Sequence, residues 1–154
     1  MKQKTIWNFI KNKWYLLLIK ILILDQITKY LVRTYIPEHA SLTVIDKILY
    51  FTHTTNTGVS FGLFKGANFV FIIISLLVLA FFVYVKKKNS KHNLQFSLIF
   101  AGIIGNLIDR LLFGHVIDFI DFRIWPIFNI ADMSISFGII WLVLILWKKG
   151  EDLF

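Results

Sequence analysis

Long apolar stretches separated by short polar segments are the dominant pattern along the chain. The clearest stretch, Ala67 to Val85, contains only two polar residues, Asn68 and Ser75. A helix rises about 1.5 Å per residue, so this stretch would span about 28 Å, roughly the thickness of a bilayer core. The pattern therefore predicts a transmembrane helix at 67–85.

Three other apolar stretches predict helices of similar length, at about 15–35, 94–113 and 130–147. The first of these is the least apolar, because charged residues such as Asp25 and Lys29 interrupt it. We therefore expect all 154 residues to form a single all-α membrane domain with four transmembrane helices.

The segments 36–66 and 114–129 join these spans and differ from ordinary loops. Residues 42–64 are rich in Thr, Val, Ile, Tyr and Phe, which favour strands, and Asp46-Lys47 is suited to a turn. The second segment carries aromatic side chains that suit a membrane interface, namely Phe119, Phe122, Trp125 and Phe128. We expect a small β-sheet that lies on the membrane surface.

Basic residues are distributed unevenly between the predicted loops. The chain has 17 basic and 9 acidic residues, a net charge of +8. Ten basic residues lie at the termini and in the middle loop: Lys2, Lys4, Lys11, Lys13, Lys86, Lys87, Lys88, Lys91, Lys148 and Lys149. The other two segments carry Lys47, Lys65 and Arg123. Because cytoplasmic loops are enriched in Lys and Arg, we expect both termini in the cytoplasm and 36–66 and 114–129 outside.

Composition and charge placement exclude several classes of protein. The chain is 57% hydrophobic and 17% charged, whereas about a quarter of a typical soluble protein is charged. Its lysines flank apolar stretches, which suits anionic lipid headgroups and argues against a nucleic-acid partner. No cysteine is present, so disulfides and thiolate chemistry are excluded. The four histidines lack HExxH spacing, so we expect no metal site.

The start of the chain has the basic and apolar regions of a signal peptide. Lys20, Asp25 and Lys29 interrupt its apolar region, however, and no small-x-small cleavage site follows. We therefore expect this segment to be retained as the first span.

Ionisable residues inside a predicted span are costly and therefore mark a candidate site. Asp25 and Lys29 lie four residues apart on one face of the first span, and Asp109 and Arg110 lie at the end of the third. We expect these groups chiefly to pair and to fasten the helices together, with Arg110 also placed to position a substrate.

Two carboxylates, Asp118 and Asp132, are the candidates for catalysis. The predicted topology places both at the outer face and at similar depth. Two neighbouring carboxylates tend to share a proton, so one can activate water while the other protonates the carbonyl or the leaving amine. The alternatives are an N-cap role for Asp132, a solvated loop position for Asp118, and a pair that uses Asp121 instead.

A GxSxG sequence at 58–62 offers a different nucleophile, Ser60. That motif functions in a strand–turn–helix of an α/β sheet, with an Asp and a His later in the chain. This chain has no room for such a sheet, so we expect Ser60 to lie in a tight outward turn.

Five short polar segments occur in a fixed order relative to the four spans. They are Asp25-Gln26-Ile27-Thr28-Lys29, Asn56-Thr57-Gly58-Val59-Ser60-Phe61, Gly105-Asn106-Leu107-Ile108-Asp109-Arg110, Val116-Ile117-Asp118-Phe119 and Phe128-Asn129-Ile130-Ala131-Asp132. Each is weak alone, but together, over residues 25 to about 135, they resemble the lipoprotein signal peptidases, also called signal peptidase II.

The resemblance implies a four-helix bundle in a bacterial plasma membrane, with a small sheet on the outer surface. It implies an aspartyl endopeptidase that cleaves prolipoproteins before a diacylglyceryl-modified cysteine. We expect no cofactor and no metal. Asp118 and Asp132 would be catalytic. The residues that bind substrate or support the site would be Asn56, Gly58, Asn106, Asp109, Arg110 and Asn129, with Asp25 and Lys29 as structural intramembrane groups. We expect a monomer whose partners are the prolipoprotein and membrane lipid.

Two other functions fit parts of the pattern. A proton-coupled transporter could use Asp25, Lys29, Asp109 and Arg110 as a relay, but the inner halves of the second and fourth spans carry almost no polar residues. A non-catalytic scaffold subunit would leave the paired carboxylates unexplained. Substituting Asp118 distinguishes the three functions, because it abolishes hydrolysis but need not affect transport or assembly.

Overall fold

The computed structural model describes residues 13–57, 68–88 and 91–150 of the chain. Its elements, in chain order, are α1 Trp14–Tyr35, β1 Ser41–Ile45, β2 Leu49–Asn56, α2 Asn68–Lys88, α3 Asn93–Phe113, β3 Val116–Asp121 and α4 Ile130–Lys149. The chain is therefore mostly helical with one small sheet, as the sequence predicted.

Three of the helices, α2, α3 and α4, are long and apolar enough to cross a membrane. The helix α1 is as long, at 22 residues, but carries four charged residues: Lys20, Asp25, Lys29 and Arg33. The predicted start of the second span at Ala67 lies outside the described residues. At its other end α2 continues beyond the predicted boundary, through Lys86 and Lys87 to Lys88, because lysine does not interrupt helical geometry.

The three strands form one antiparallel sheet in the order β1-β2-β3. The predicted turn at Asp46-Lys47 joins β1 to β2, and Lys47 adopts the left-handed conformation there (φ 61°). On the other side of β2, Thr54 pairs with Asp118 of β3. The two segments that join the spans therefore contribute to a single sheet.

The helix α3 is the centre of the bundle and packs against the other three helices. Its apolar side chains form a core with α2 and α4, which comprises Val85, Phe96, Ile99, Phe100, Ile103 and Leu142. A second cluster joins α1 to the sheet through Val32, Ile117 and Phe119. The chain leaves α3 at Gly114, whose φ of 78° favours glycine, and enters β3 two residues later. This short connection fixes the sheet against the end of the bundle.

The packing of α3 against α4 depends on Gly102. A Cβ atom at this position would overlap the carbonyl oxygen of Ala131 and lie 2.6 Å from Cγ1 of Ile135. Because the nearest obstacle is backbone, we expect Gly102→Ala to destabilise the fold by about 1–3 kcal/mol, measured as thermal unfolding in detergent. Leu111→Ala, at a position of α3 that is 61% exposed, is the control and should change stability far less. Equal melting temperatures for Gly102→Ala and the wild type would contradict this packing.

Candidate active site

Asp132 is held by the first turn of α4. The side chain of Asn129 accepts a hydrogen bond from the Asp132 backbone N–H at 2.9 Å, and Asp132 Oδ2 accepts one from the Asn129 N–H at 3.2 Å. This reciprocal pair is a capping box in which Asn129, not Asp132, is the N-cap residue. The carboxylate of Asp132 therefore lies at the positive end of the α4 dipole.

Asp118 lies on β3 and is 4% exposed, so the alternative of a solvated loop position is wrong. Its Oδ1 accepts a hydrogen bond from Asn129 Nδ2 at 2.6 Å, and its Oδ2 accepts one from Asn56 Nδ2 at 2.9 Å. Both oxygens of this buried carboxyl group therefore have an amide donor. The sheet creates the arrangement, because Asn56 ends the strand that pairs with β3.

Two asparagines, Asn106 and Asn129, connect the two aspartates. Asn129 is fully buried, and its Nδ2 also lies 3.2 Å from Asn106 Oδ1. Asn106 in turn donates from Nδ2 to Asp132 Oδ1 at 2.8 Å. Each carboxyl group thus receives two N–H donors, and one asparagine, Asn129, touches both aspartates. We call Asp118 and Asp132 the aspartate pair.

The aspartate pair is electrostatically coupled. Burial and the nearby negative charge of Asp132 raise the pKa of Asp118 to about 7, although the amides of Asn56 and Asn129 act in the opposite direction. Near neutral pH the pair can therefore hold one proton. One protonated and one ionised carboxyl group is the state required for combined acid and base catalysis.

A buried group of charges lies beside the pair, between α1 and α3. Lys29 Nζ is 2.9 Å from Asp25 Oδ2, 2.8 Å from Asp109 Oδ2 and 3.0 Å from Asn106 Oδ1. Asp25 Oδ1 also accepts a hydrogen bond from the Ala131 N–H at 2.9 Å. Asp25 and Lys29 of α1 therefore face α3 and the start of α4.

Asp109 and Arg110 are adjacent but have different surroundings. Asp109 belongs to the buried charge group, whereas the Arg110 guanidinium lies 5.6 Å from the centre of the Phe71 ring of α2. Arg110 also interacts electrostatically with Asp132 and Asp118. It is thus a half-buried positive charge close to the aspartate pair.

Asp121, the competing carboxylate, lies on the opposite face of β3 from Asp118 because it is three residues further along the strand. Its Oδ2 accepts a hydrogen bond from Thr52 Oγ1 at 2.8 Å and is 3.4 Å from Arg123 Nε. Asp121 therefore stabilises the sheet and the loop that follows. Gly58 and Ser60, including the GxSxG segment, lie outside the described residues.

Gln26 was not singled out in the sequence, although it belongs to one of the five segments. Its Nε2 is 3.0 Å from Asp109 Oδ1, 3.2 Å from Asp25 Oδ2 and 3.3 Å from the Gly105 carbonyl oxygen. Helical periodicity points Gln26 away from the face shared by Asp25 and Lys29, and its long side chain bends back to them. In the part of the chain that the structure describes, no group of three His, Asp or Glu side chains is arranged to hold a metal ion.

Comparisons with known proteins give one family. The model of a family described as signal peptidase (SPase) II matches residues 17–148. The lipoprotein signal peptidase of Halothermothrix orenii is 37% identical over 140 residues, which cover 89% of this chain and 97% of that protein. The lipoprotein signal peptidase of Thermodesulfovibrio yellowstonii is 45% identical over 126 residues, 78% of this chain and 84% of that protein. A solved bacterial membrane enzyme has a TM-score of 0.83 and 37% identity, over 90% of each chain.

The raised pKa of Asp118 makes a prediction for stability. The folded protein binds the proton of the Asp118 carboxyl group more tightly than the unfolded chain does. The stabilisation of the folded state by this proton is therefore full below about pH 4 and is lost as pH rises through about 7. Asn cannot ionise. We therefore expect the melting temperature of Asp118→Asn, relative to the wild type in detergent, to be higher at pH 8 than at pH 5.

The control for this experiment is Asp46→Asn, the same chemical change at an exposed turn position. Its melting temperature relative to the wild type should be nearly the same at both pH values. A pH-independent difference for Asp118→Asn would mean that Asp118 is ionised throughout this range, and would contradict a raised pKa of Asp118.

Proposed function

The chain belongs to the signal peptidase II family, and we propose that it removes the signal peptide from prolipoproteins by cleaving before a diacylglyceryl-modified cysteine. The observation that supports this most directly is the aspartate pair, two carboxyl groups connected by asparagine donors, in which burial and the charge of Asp132 raise the pKa of Asp118 to about 7. Such a pair can activate water for attack on a peptide carbonyl without any covalent enzyme intermediate.

We assign the base role to Asp132 and the acid role to Asp118. Asp132 takes a proton from water as the water oxygen attacks the scissile carbonyl, and Asp118 protonates the carbonyl oxygen. The resulting tetrahedral diol then collapses: Asp132 passes its proton to the leaving amine, and a diol hydroxyl returns a proton to Asp118. The C–N bond breaks, and the pair regains its starting protonation state.

The neighbouring residues divide into two groups. Both ends of the Asn129 side chain are occupied by the aspartate pair, so we assign it, with Asn106, to support of the carboxyl groups. Arg110 and Asn56 border the pair and are suited to donate to backbone carbonyls of an extended substrate. Gly58 follows Asn56 closely in the chain, and we keep it in the substrate-binding group by resemblance. Asp109 supports the site through Lys29.

We propose that α1 is the fourth span, despite its charges. Asp25 and Lys29 are buried against α3, and the opposite, exposed face of α1 is apolar apart from Lys20 and Thr34, as expected beside lipid. That exposed face includes Ile19, Ile23, Ile27 and Leu31. The whole chain would then form one four-span domain. Monomeric function is consistent with an aspartate pair supplied entirely by one chain.

The positions of the lysines give the orientation that we propose. Lys88 and Lys149 end α2 and α4. At the other end of α4, Asn129 donates to the Ile117 carbonyl of β3, and at the other end of α2, Asn68 donates to the Arg110 carbonyl near the end of α3 that leads into β3. By the tendency of basic residues to remain in the cytoplasm, both termini are cytoplasmic and the aspartate pair is at the outer face of a bacterial plasma membrane. A substrate whose signal peptide crosses the bilayer, with its acyl chains in the outer leaflet, would bring its scissile bond to that depth.

The first test is cleavage by purified protein in detergent, with a diacylglyceryl-modified prolipoprotein as substrate and loss of the signal peptide as the readout. We expect Asp118→Asn and Asp132→Asn each to lower turnover by about a thousandfold or more, because each removes a proton-transfer group. Asp121→Asn, the same change on the same strand, should retain most activity. An inactive, folded wild type would contradict the peptidase function, and an inactive Asp121→Asn would contradict the choice of pair.

The second test is the pH dependence of kcat/KM. Activity should fall above about pH 7, where Asp118 loses the proton that it donates. Asn56→Ala removes a donor that favours the ionised form of Asp118, so it should raise the pKa of Asp118 and move this decline to higher pH. Thr55→Ala is the control, because Thr55 contacts Glu38 instead. If the pH at which kcat/KM declines is unchanged or lower in Asn56→Ala, Asp118 is not the acid.

A further inference from the structure

One side chain, that of Asn106, connects the buried charge group to the aspartate pair. Its Oδ1 faces Lys29 at 3.0 Å, and its Nδ2 faces Asp132 Oδ1 at 2.8 Å. We infer that Lys29 is a positioning residue of the reaction, which acts through Asn106 on Asp132, in addition to fastening α1 to α3. This inference rests on the proposed function of the aspartate pair.

The contacts of Lys29 use its full capacity for hydrogen bonds. An ammonium group has three protons and no acceptor, and Lys29 has three acceptors within 3.0 Å: Asp25, Asp109 and Asn106. The residue is 2% exposed, so water contributes little. The two carboxylates are sufficient to hold the charge of Lys29 in the bundle. We therefore expect the contact between Lys29 and Asn106 to affect Asn106 more than it stabilises Lys29.

That consequence is the orientation of the Asn106 amide. Because Lys29 can only donate, Asn106 must turn Oδ1 towards it, and Nδ2 must then point at Asp132. The Nδ2 of Asn129, 3.2 Å from the same Oδ1, favours the same orientation. The reversed amide would place an NH₂ group against the ammonium and a carbonyl oxygen against the carboxylate, which are two repulsive contacts. Lys29 therefore selects the orientation that gives Asp132 a donor.

The donor matters because Asp132 has to alternate between its ionised and protonated forms during the reaction. A fixed N–H on Oδ1, together with the Asn129 N–H on Oδ2, restricts rotation of the carboxyl group. A restricted group takes and returns its proton in one geometry, and such preorganisation increases the rate of the chemical step. The change should therefore appear in kcat rather than in substrate affinity.

A purely structural role makes a different prediction. In that case Lys29 would stabilise the fold through Asp25 and Asp109, and its loss would lower the melting temperature whether or not Asn106 is present. Folded molecules that remain would retain normal turnover. Stability and turnover therefore separate the two roles, because only positioning requires Asn106.

The test is a double-mutant cycle with Lys29→Met, Asn106→Ala and the combined variant, assayed with the lipidated prolipoprotein in detergent. We expect Lys29→Met to lower kcat roughly 10- to 100-fold, the effect of losing one hydrogen bond to a charged group, with KM within about twofold. In the Asn106→Ala background the same substitution should change kcat less than about twofold. Lys20→Met, at an exposed position of α1, is the control and should match the wild type.

Equal effects of Lys29→Met in both backgrounds would overturn the inference, and so would an unchanged kcat in the folded single variant. Lys29→Met leaves Asp25 and Asp109 without their cation and can fail to fold. The variant Lys29→Met/Asp109→Asn restores the net charge of the buried charge group. The cycle is then repeated with this variant in place of Lys29→Met, with and without Asn106→Ala. If this variant also fails to fold, Lys29 is a folding residue and the inference is wrong.

The proposed function is judged separately in the same assay. If the wild type cleaves and Asp132→Asn does not, the aspartate pair stands whatever the cycle shows for Lys29. If the folded wild type does not cleave, the proposed function and this inference are both wrong.

Discussion

Asp118 is buried and Asp132 half-buried at one end of a helical bundle, and their oxygens require hydrogen-bond donors because an unsatisfied charge away from water is costly. In this protein the donors come from three parts of the fold: Asn56 at the end of β2, Asn106 in α3, and Asn129 at the start of α4. The sheet, the central helix and the capping box must all be in place before Asp118 and Asp132 are satisfied. The candidate site is therefore a product of the whole fold rather than of one loop.

The same requirement explains the two buried charges of α1, Asp25 and Lys29. Asp25 binds the backbone N–H of Ala131, one residue before Asp132, and shares Lys29 with Asp109. A helix that is less apolar than its neighbours is thus tied to both α3 and α4 at the level of the site. Close packing supports these contacts, since a Cβ atom at Gly105 would lie 2.7 Å from Asp25 Oδ2.

The sequence predicted the parts of the structure that depend on local pattern. Apolar length gave the helices within a few residues, and the Asp46-Lys47 turn was found because its flanking residues favour strands. The pairing of β3 with β2 was not predicted, since register depends on contacts between distant segments. For that reason the sequence alone could not separate Asp118 from Asp121, whose side chains point to opposite faces of one strand.

Prediction of the supporting residues was limited for a related reason. Asn129 and Asp132 have the spacing of a capping box, but the direct contact between Asn129 and Asp118 depends on the way in which β3 packs against α4. Gln26 was not predicted to join the site, because adjacent residues of a helix point in different directions around its axis. Its side chain is nevertheless long enough to reach Asp109. The five polar segments identified most residues of the candidate site. The role of each residue depends on hydrogen bonds that only the folded structure shows.

Infrared spectroscopy of the purified protein can show whether the aspartate pair holds one proton near neutral pH. We predict a protonated-carboxyl C=O stretching band that disappears with a midpoint near pH 7 and is absent from Asp118→Asn. The band should persist in Asp121→Asn. If the wild type has no carboxyl band that titrates in this range, or if that band survives in Asp118→Asn, then Asp118 does not carry a proton near neutral pH.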